Sequence, residues 1–105
     1  MSDDTGAVDR EALAALHDRL AATAERPVER TASRWLGEAE AVAADARHIE
    51  TPEVVRARVA EVAELLANVD GTGDGAADGH VRRARSLADD IVAVKREGEG
   101  KDNGA

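Results

Sequence analysis

Apolar residues recur in this chain at alternating spacings of three and four, and no other feature constrains the fold as much. An α-helix has about 3.6 residues per turn, so residues at these spacings lie along one side of a helix. Four stretches carry such a stripe. Its positions are Leu13, Leu16, Leu20; Val28, Ala32, Trp35, Ala39, Val42, Ala46, Ile49; Val55, Val59, Val62, Leu66, Val69; and His80, Ala84, Leu87, Ile91, Val94. The pattern predicts an all-α fold.

A proline separates the first two stripes. The first helix is predicted over residues 7–25 and the second over residues 27–48. Proline is disfavoured inside a helix but suits its first position, so Pro27 is expected to begin the second helix. The alternative is that both stripes lie on one long helix that is kinked at Pro27.

The third and fourth helices have local start and stop signals. Thr51 suits an N-cap and Pro52 suits the first helical position, so the third helix is expected to begin there. The glycine-rich segment 70–75 is expected to form a loop. The fourth helix is predicted over residues 76–97, because Gly98 can end it.

The connections between the four helices are short, which favours antiparallel neighbours. The sequence therefore predicts an antiparallel up-down-up-down four-helix bundle. The kinked alternative would give a three-helix bundle, with the first two helices joined as one. The bundle domain is expected to span residues 7–97, between a disordered leader at residues 1–6 and a disordered, glycine-rich tail at residues 98–105.

The charge balance indicates the cellular environment. Lys and Arg total 14 against 22 Asp and Glu, which gives a net charge of −8, and only Lys95 and Lys101 among the basic residues are lysines. An acidic, lysine-poor surface stays hydrated in molar salt, where charge interactions are screened to about 3 Å. We therefore expect a protein adapted to a salt-loaded cytoplasm.

The composition argues against several classes of protein. No stretch of about 18 residues is continuously apolar, so we expect no transmembrane helix and no membrane partner. No basic, apolar leader is present, so we expect no secretion signal. The chain has no Cys, which excludes disulfides, iron–sulfur clusters and a thiol nucleophile.

The loop before the fourth helix offers oxygen ligands at the spacing of a calcium loop. Asp70, Thr72, Asp74 and Asp78 would occupy loop positions 1, 3, 5 and 9, but position 12, which should be a bidentate acid, is Val81. One hypothesis is weak binding of Ca²⁺ or Mg²⁺ at these four residues. The alternative is an acidic turn in which Asp74 or Asp78 caps the fourth helix and no cofactor is bound.

Two carboxylates on the third helix suggest a second chemistry. Glu61 and Glu64 share a helix face, which is similar to the acidic pair that helical pyrophosphohydrolases of the MazG type use to hold magnesium on a nucleotide phosphate. That family uses a second acidic pair on the next helix. Here the next helix offers only Asp89 and Asp90, which are adjacent and so are expected to point apart. The alternative for Glu61 and Glu64 is a solvated face.

The basic residues and histidines give weaker signals. A patch for anions would comprise Arg56, Arg58, Arg82, Arg83 and Arg85. No aromatic residue accompanies these arginines for base stacking, so we expect no nucleic-acid partner, and instead expect ion pairs such as Arg85 with Asp89.

The three histidines are His17, His48 and His80. They are far apart in sequence and no two have the i, i+4 spacing, so we expect no zinc site.

The single aromatic residue is Trp35, on the stripe of the second helix. The simpler interpretation is that Trp35 fills the core against small Ala neighbours, beside a Gly37 that makes room for a close helix. The alternative is that Trp35 and Leu36 anchor a protein partner or a homodimer, because tryptophan is enriched at binding hot spots.

The whole chain resembles short uncharacterised helical-bundle proteins of haloarchaea. The residues that carry the resemblance are the acidic, Ala-rich stripes and the segment 65–74 (LLANVDGTGD). The resemblance implies a cytoplasmic, salt-adapted bundle and implies no site. With no complete catalytic set, the sequence favours a non-enzymatic protein that acts through protein–protein contacts.

Overall fold

The structure is a computed structural model that describes residues 8–104, with the side chains of residues 8–93. Its helices are α1 (Arg10–Thr23), α2 (Arg30–Ala46), α3 (Pro52–Leu66) and α4 (Gly75–Gly104). Within the described residues there is no β-strand. The predicted all-α fold with four helices is therefore confirmed.

The helices form a bundle in which each packs against two neighbours. Helix α1 packs on α2 and α4, and α3 packs on the same two helices. Contacts between chain segments give the directions. Ala12 near the start of α1 shares a groove with Ile91 late in α4, whereas Arg26 after α1 bonds to Asp74 before α4. Helices α1 and α4 are therefore antiparallel. Arg10 at the start of α1 donates to the carbonyl of Ile49 after α2, so α1 and α2 are antiparallel as well, as predicted.

The core is formed by one buried stripe from each helix. The predicted stripe positions of α1 and α3 are all buried, and so is Val69 just beyond α3. The buried apolar residues are Leu13, Leu16, Leu20, Ala32, Leu36, Ala39, Ala43, Ala46, Val55, Val59, Val62, Leu66, Val69, Ala77, Val81, Ala84, Leu87, Ala88 and Ile91. Alanine provides most of the α2 contribution, so this helix lies close to its neighbours.

The stripe of α2 agrees with the prediction at Ala32, Ala39 and Ala46 but is shifted by one residue at two positions between them. Leu36 and Ala43 face the core, while Trp35 and Val42 are half-buried at its edge. The close approach that Ala39 and its neighbours allow leaves no room for an indole ring on the central line of α2. The prediction that Trp35 fills the core is therefore wrong in register, although Trp35 packs against the core from the side.

Helix α4 differs from the prediction at both ends. It begins at Gly75 and continues to Gly104 rather than ending at Glu97. A glycine costs a helix interior about 1 kcal/mol relative to alanine, which disfavours a helix without forbidding it. Ala77 and Val81 are buried and His80 is only half-buried, so the buried stripe of α4 begins at Ala77 and not at His80 as predicted.

Several predictions fall on chain segments that the structure does not describe. The side chain of Val94 and the leader at residues 1–6 lie outside the described residues. The predicted division into leader, bundle and tail stays a prediction.

The connection between α1 and α2 corrects two predictions about Pro27. Helix α1 ends at Thr23 and α2 begins at Arg30, so Pro27 neither kinks one long helix nor begins the second. Pro27 lies in the connection, where proline and the residue before it disfavour a helical backbone, and the N–H of Glu29 donates to the carbonyl of Thr72 at 2.7 Å. The first two helices are therefore separate elements, and the three-helix alternative is wrong.

The start of α3 agrees with the prediction. Pro52 is its first residue, and Thr51 is the N-cap with an extended backbone (φ −77°, ψ 115°) but no capping hydrogen bond from its side chain. Across the described part of the chain, no helix combines the length and the apolar character needed to cross a membrane.

Candidate functional site

The loop before α4 is organised around Thr72, a side chain that is completely buried. Its hydroxyl lies 2.8 Å from Asp78 Oδ1 and 2.8 Å from the carbonyl of Asp74, and its backbone N–H donates to Asp78 Oδ1 at 2.9 Å. The two bonds that Thr72 donates lower the pKa of the Asp78 carboxyl below its ordinary value. Thr72 thereby joins the loop to the first turn of α4.

Asp74 caps α4 and joins it to the end of α1. Its Oδ2 accepts a hydrogen bond from the N–H of Ala77 at 2.9 Å. Arg26 donates to the same carboxylate twice, from Nε at 2.9 Å and from a terminal nitrogen at 3.2 Å. The Arg26 guanidinium first, and then the Ala77 N–H, lower the pKa of Asp74. We call Arg26, Thr72, Asp74 and Asp78 the cap network.

The cap network uses three of the four residues proposed as cation ligands. Thr72, Asp74 and Asp78 lie together, but their oxygens already accept bonds from protein donors. Asp70 is exposed and has no place in the network, and Val81 is buried in the core. In the part of the chain with described side chains, no group of three His, Cys, Asp or Glu residues is placed to hold a metal ion. Asp74 caps α4, as one of the two interpretations of this loop expects, and cation binding at these residues stays a prediction.

The acidic residues proposed for a hydrolase are divided among three surfaces. Glu61 and Glu64 line a groove between α2 and α3. Asp89 lines the groove between α3 and α4, and Asp90 lines the one between α1 and α4. Asp89 and Asp90 point apart, as predicted, and neither faces Glu61 and Glu64. The second acidic pair that such a hydrolase needs is therefore not assembled here.

The five arginines proposed as an anion patch are also divided. Arg56 is buried, and Arg58 pairs with Glu61 at 3.3 Å on the surface of α3. Arg85 donates from one terminal nitrogen to the carbonyls of Leu66 and Val69, both at 2.6 Å. Arg85 thus caps the carboxyl end of α3. The expected ion pair between Arg85 and Asp89 does not form. The two that remain, Arg82 and Arg83, are exposed on α4.

Two of the three histidines meet arginines on neighbouring helices. His17 Nδ1 lies 3.4 Å from an Arg47 nitrogen, and its Nε2 lies 3.8 Å from a Glu40 oxygen. His80 Nδ1 lies 3.1 Å from an Arg19 nitrogen. His17 and His80 therefore each bridge two segments of the bundle, whereas His48 is exposed.

The two residues proposed as interface anchors have different environments. Leu36 is 3% exposed and belongs to the core, so it offers almost no surface to a partner in this structure. Trp35 is half-buried at the edge of α2. The i, i+3, i+7 spacing places Glu38 and Val42 on the same face of α2 as Trp35.

That face borders the α2–α3 groove, an open depression of about 500 Å³. Its lining residues are Glu38, Ala41, Val42, Glu61, Glu64, Leu65 and Asn68. Val42 and Leu65 are half-buried and pack against the core from this side. The groove therefore combines partly exposed apolar side chains with three carboxylates.

The carboxylates of the α2–α3 groove are weakly paired. Glu61 has Arg58, but neither Glu38 nor Glu64 forms an ion pair with any residue in the described region. Sequence reasoning did not identify Glu38 and Leu65 as members of one site, because these two residues come together only when α2 packs on α3. The spacing of Trp35, Glu38 and Val42 together with the short connection to α3 is the signal that could have found them.

Comparison with known proteins identifies a family for this chain. The family model described as "Domain of unknown function (DUF8152)" matches residues 12–98, which is more than half of the chain. No curated protein and no solved structure matches the chain significantly. The match extends from the first turn of α1 well into α4, so it includes all the helices that form the bundle. The chain belongs to the DUF8152 family, a domain family of unknown function.

Proposed function

We propose that this domain is a non-enzymatic protein that binds another protein chain at the α2–α3 groove. One observation carries the proposal: Val42 and Leu65 remain partly exposed on this face, although the core beneath is already closed by residues such as Leu36. A bound chain would complete the burial of these apolar side chains. Each fully buried aliphatic side chain contributes about 1.5–3 kcal/mol, which is the main favourable term in most protein association.

The polar residues of the bundle support a non-enzymatic role. Asp74 caps α4 through the N–H of Ala77, and Asp78 accepts hydrogen bonds from Thr72. Asp89 and Asp90 face different grooves. We propose that the domain works without a resident cofactor. Titration with Ca²⁺ or Mg²⁺ is expected to leave the amide signals of residues 70–78 unchanged, and a saturable shift there would favour the cation hypothesis.

The experiment that tests the binding face is site-specific photo-crosslinking in the cell of origin. A photoreactive residue replaces Ala41, which is exposed and lines the groove, or Ala24, which is exposed at the end of α1 and serves as the control. We expect one discrete adduct from position 41, none from position 24, and loss of the adduct when Leu65→Glu is added. Equal adducts at both positions, or none at position 41, would contradict the proposal.

The setting that we propose is the salt-loaded cytoplasm of a haloarchaeal cell. The support is the net charge of −8 and the use of only two lysines among 14 basic residues. Screening of like charges is nearly complete at molar salt, where the Debye length is about 3 Å. We expect higher helicity by circular dichroism and a higher unfolding temperature in about 2 M KCl than in dilute buffer. Equal stability in both would contradict the proposed setting.

A further inference from the structure

We infer that the α2–α3 groove takes an amphipathic helix from a different protein, with basic residues on both sides of the helix's apolar face. This inference rests on the proposed function and adds the chemistry of the partner. It depends on the shape of the groove and on the charges of its walls.

The shape of the groove suits a helix. Its two walls are antiparallel helices, with Val42 from α2 and Leu65 from α3 facing into the depression. Ala41 contributes a small side chain on the same wall, which lets a partner's backbone come close. An amphipathic helix binds such a groove by placing apolar residues at i, i+3, i+4 and i+7 against the apolar floor.

The charges on the groove walls determine which residues should lie on both sides of the apolar face of the bound helix. Glu38, Glu61 and Glu64 line the α2–α3 groove and no basic residue lines it. Three other grooves that carry more than one acidic residue each include an arginine: Arg85 between α3 and α4, Arg83 between α1 and α4, and Arg26 at the end of α1. Basic flanks would supply the cations that Glu38 and Glu64 lack.

A second copy of this chain is the less favourable occupant. It would bring its own acidic groove wall against Glu38, Glu61 and Glu64, so that six carboxylates would share one interface. Juxtaposed like charges are unfavourable at an interface. In molar salt the repulsion is screened over distance, but carboxylates in contact with one another still lose hydration without gaining a partner.

The test uses two synthetic helical peptides, each about as long as α2 (17 residues). Both carry the same Leu-rich apolar face, flanked by Arg and Lys in one peptide and by Glu in the other. Trp35 is the only aromatic residue of the chain, so its fluorescence reports binding near this face without a label. Amide shifts of Val42 and Leu65 locate the bound peptide. Titrations are run in about 0.1 M KCl and again in about 2 M KCl, because screening separates the charge contribution from the apolar one.

The matched variants are two triple substitutions that remove the same charge. One changes Glu38, Glu61 and Glu64 to Gln in the groove. The other changes Glu11→Gln, Asp18→Asn and Glu25→Gln on the exposed surface of α1 and the residues after it.

We expect the basic peptide to bind wild type about tenfold more tightly than the acidic peptide in 0.1 M KCl, because the basic peptide gains exposed ion pairs with Glu38 and Glu64 while the acidic peptide is repelled by them. The groove variant is expected to lose that tenfold preference, and the α1 variant is expected to change it by less than about twofold. In 2 M KCl the preference should shrink while the amide shifts of Val42 and Leu65 persist.

Four other outcomes would contradict the inference, and each would do so for a different reason. Equal binding of both peptides would remove the charge preference but leave the binding face standing. An adduct from position 41 with twice the mass of the 11.0 kDa chain would identify a second copy as the occupant. Failure of both peptides to bind, with the crosslink at position 41 still present, would show that the partner is not a helix of this type. Loss of the crosslink itself would instead remove the proposed function.

Discussion

The cap network and the α2–α3 groove are both acidic, but their carboxylates are used differently. In the cap network, Asp74 accepts bonds from Arg26 and from the N–H of Ala77, and Asp78 accepts from Thr72. In the groove, Glu38 and Glu64 make no ion pair with the described residues and lie beside half-buried apolar side chains. The comparison separates carboxylates that stabilise the fold from carboxylates that remain available to a partner. Substitutions in the two regions should therefore differ in their effect on the free energy of unfolding.

The largest effect is expected at the centre of the cap network. Thr72→Val keeps the shape of the side chain but removes the hydroxyl that bonds to Asp78 and accepts from the N–H of Asp74. A buried group left without its partner costs about 1–3 kcal/mol, so we expect a loss of about 2 kcal/mol in the free energy of unfolding. Denaturant unfolding followed by circular dichroism measures it.

The control for Thr72 is Thr31→Val, the same change at an exposed position of α2. Exposed substitutions of this kind stay within about 0.5 kcal/mol. Equal losses at Thr31 and Thr72 would show that the network does not stabilise the bundle.

The next effect is expected where α4 caps α3. Arg85→Ala removes both bonds to the carbonyls of Leu66 and Val69, and hydrogen bonds that involve a charged group contribute about 1.5–3 kcal/mol. Because the carbonyls can regain water, we expect a loss of about 1.5 kcal/mol. Arg82→Ala, at an exposed position of the same helix, is the matched control and should change the unfolding free energy by less than about 0.5 kcal/mol. A similar loss from both variants would contradict a capping role for Arg85.

Acid should weaken the cap network. The pKa values of Asp74 and Asp78 are lowered in the folded state, by Arg26 and by Thr72 respectively. A lowered pKa contributes stability above the ordinary carboxyl value of about 3.9, and that stability is lost as the pH falls through the folded-state pKa. We therefore expect the unfolding free energy to fall below about pH 4 and the Asp74→Asn, Asp78→Asn variant to show a flatter dependence. Identical pH profiles for this variant and wild type would contradict the assignment.

The sequence predicted the parts of the fold that local periodicity determines. The stripes of α1 and α3 are buried as expected, because large Leu and Val residues alternate there with polar ones. On α2 the spacing allows two phases, one through Trp35 and Val42 and one through Leu36 and Ala43. Alanine fits either phase, so the choice depended on how closely α2 approaches its neighbours, which is a tertiary property.

In the candidate sites, too, local signals were predictable and tertiary contacts were not. Asp74 as a cap of α4 was predictable, because an aspartate before a helix is a local signal. Arg26 was not, since it lies 48 residues away in sequence from the carboxylate that it binds. Glu61 and Glu64 were found by their spacing on α3, but Glu38 joins them only through the packing of α2 on α3. Residues that come together from distant segments of the chain cannot be identified from local sequence patterns.

The smallest effect on stability is expected in the α2–α3 groove, and it completes the comparison. Glu38→Gln with Glu64→Gln removes two carboxylates that have no ion-pair partner among the described residues. Folding gains no attraction from them, so the unfolding free energy should stay within about 0.5 kcal/mol of wild type or rise slightly as repulsion is relieved. A loss near that of Thr72→Val would mean that these carboxylates stabilise the bundle, and the groove would then have no unpaired charge to offer a partner. Unchanged stability with weaker binding of the basic peptide would assign their charge to recognition.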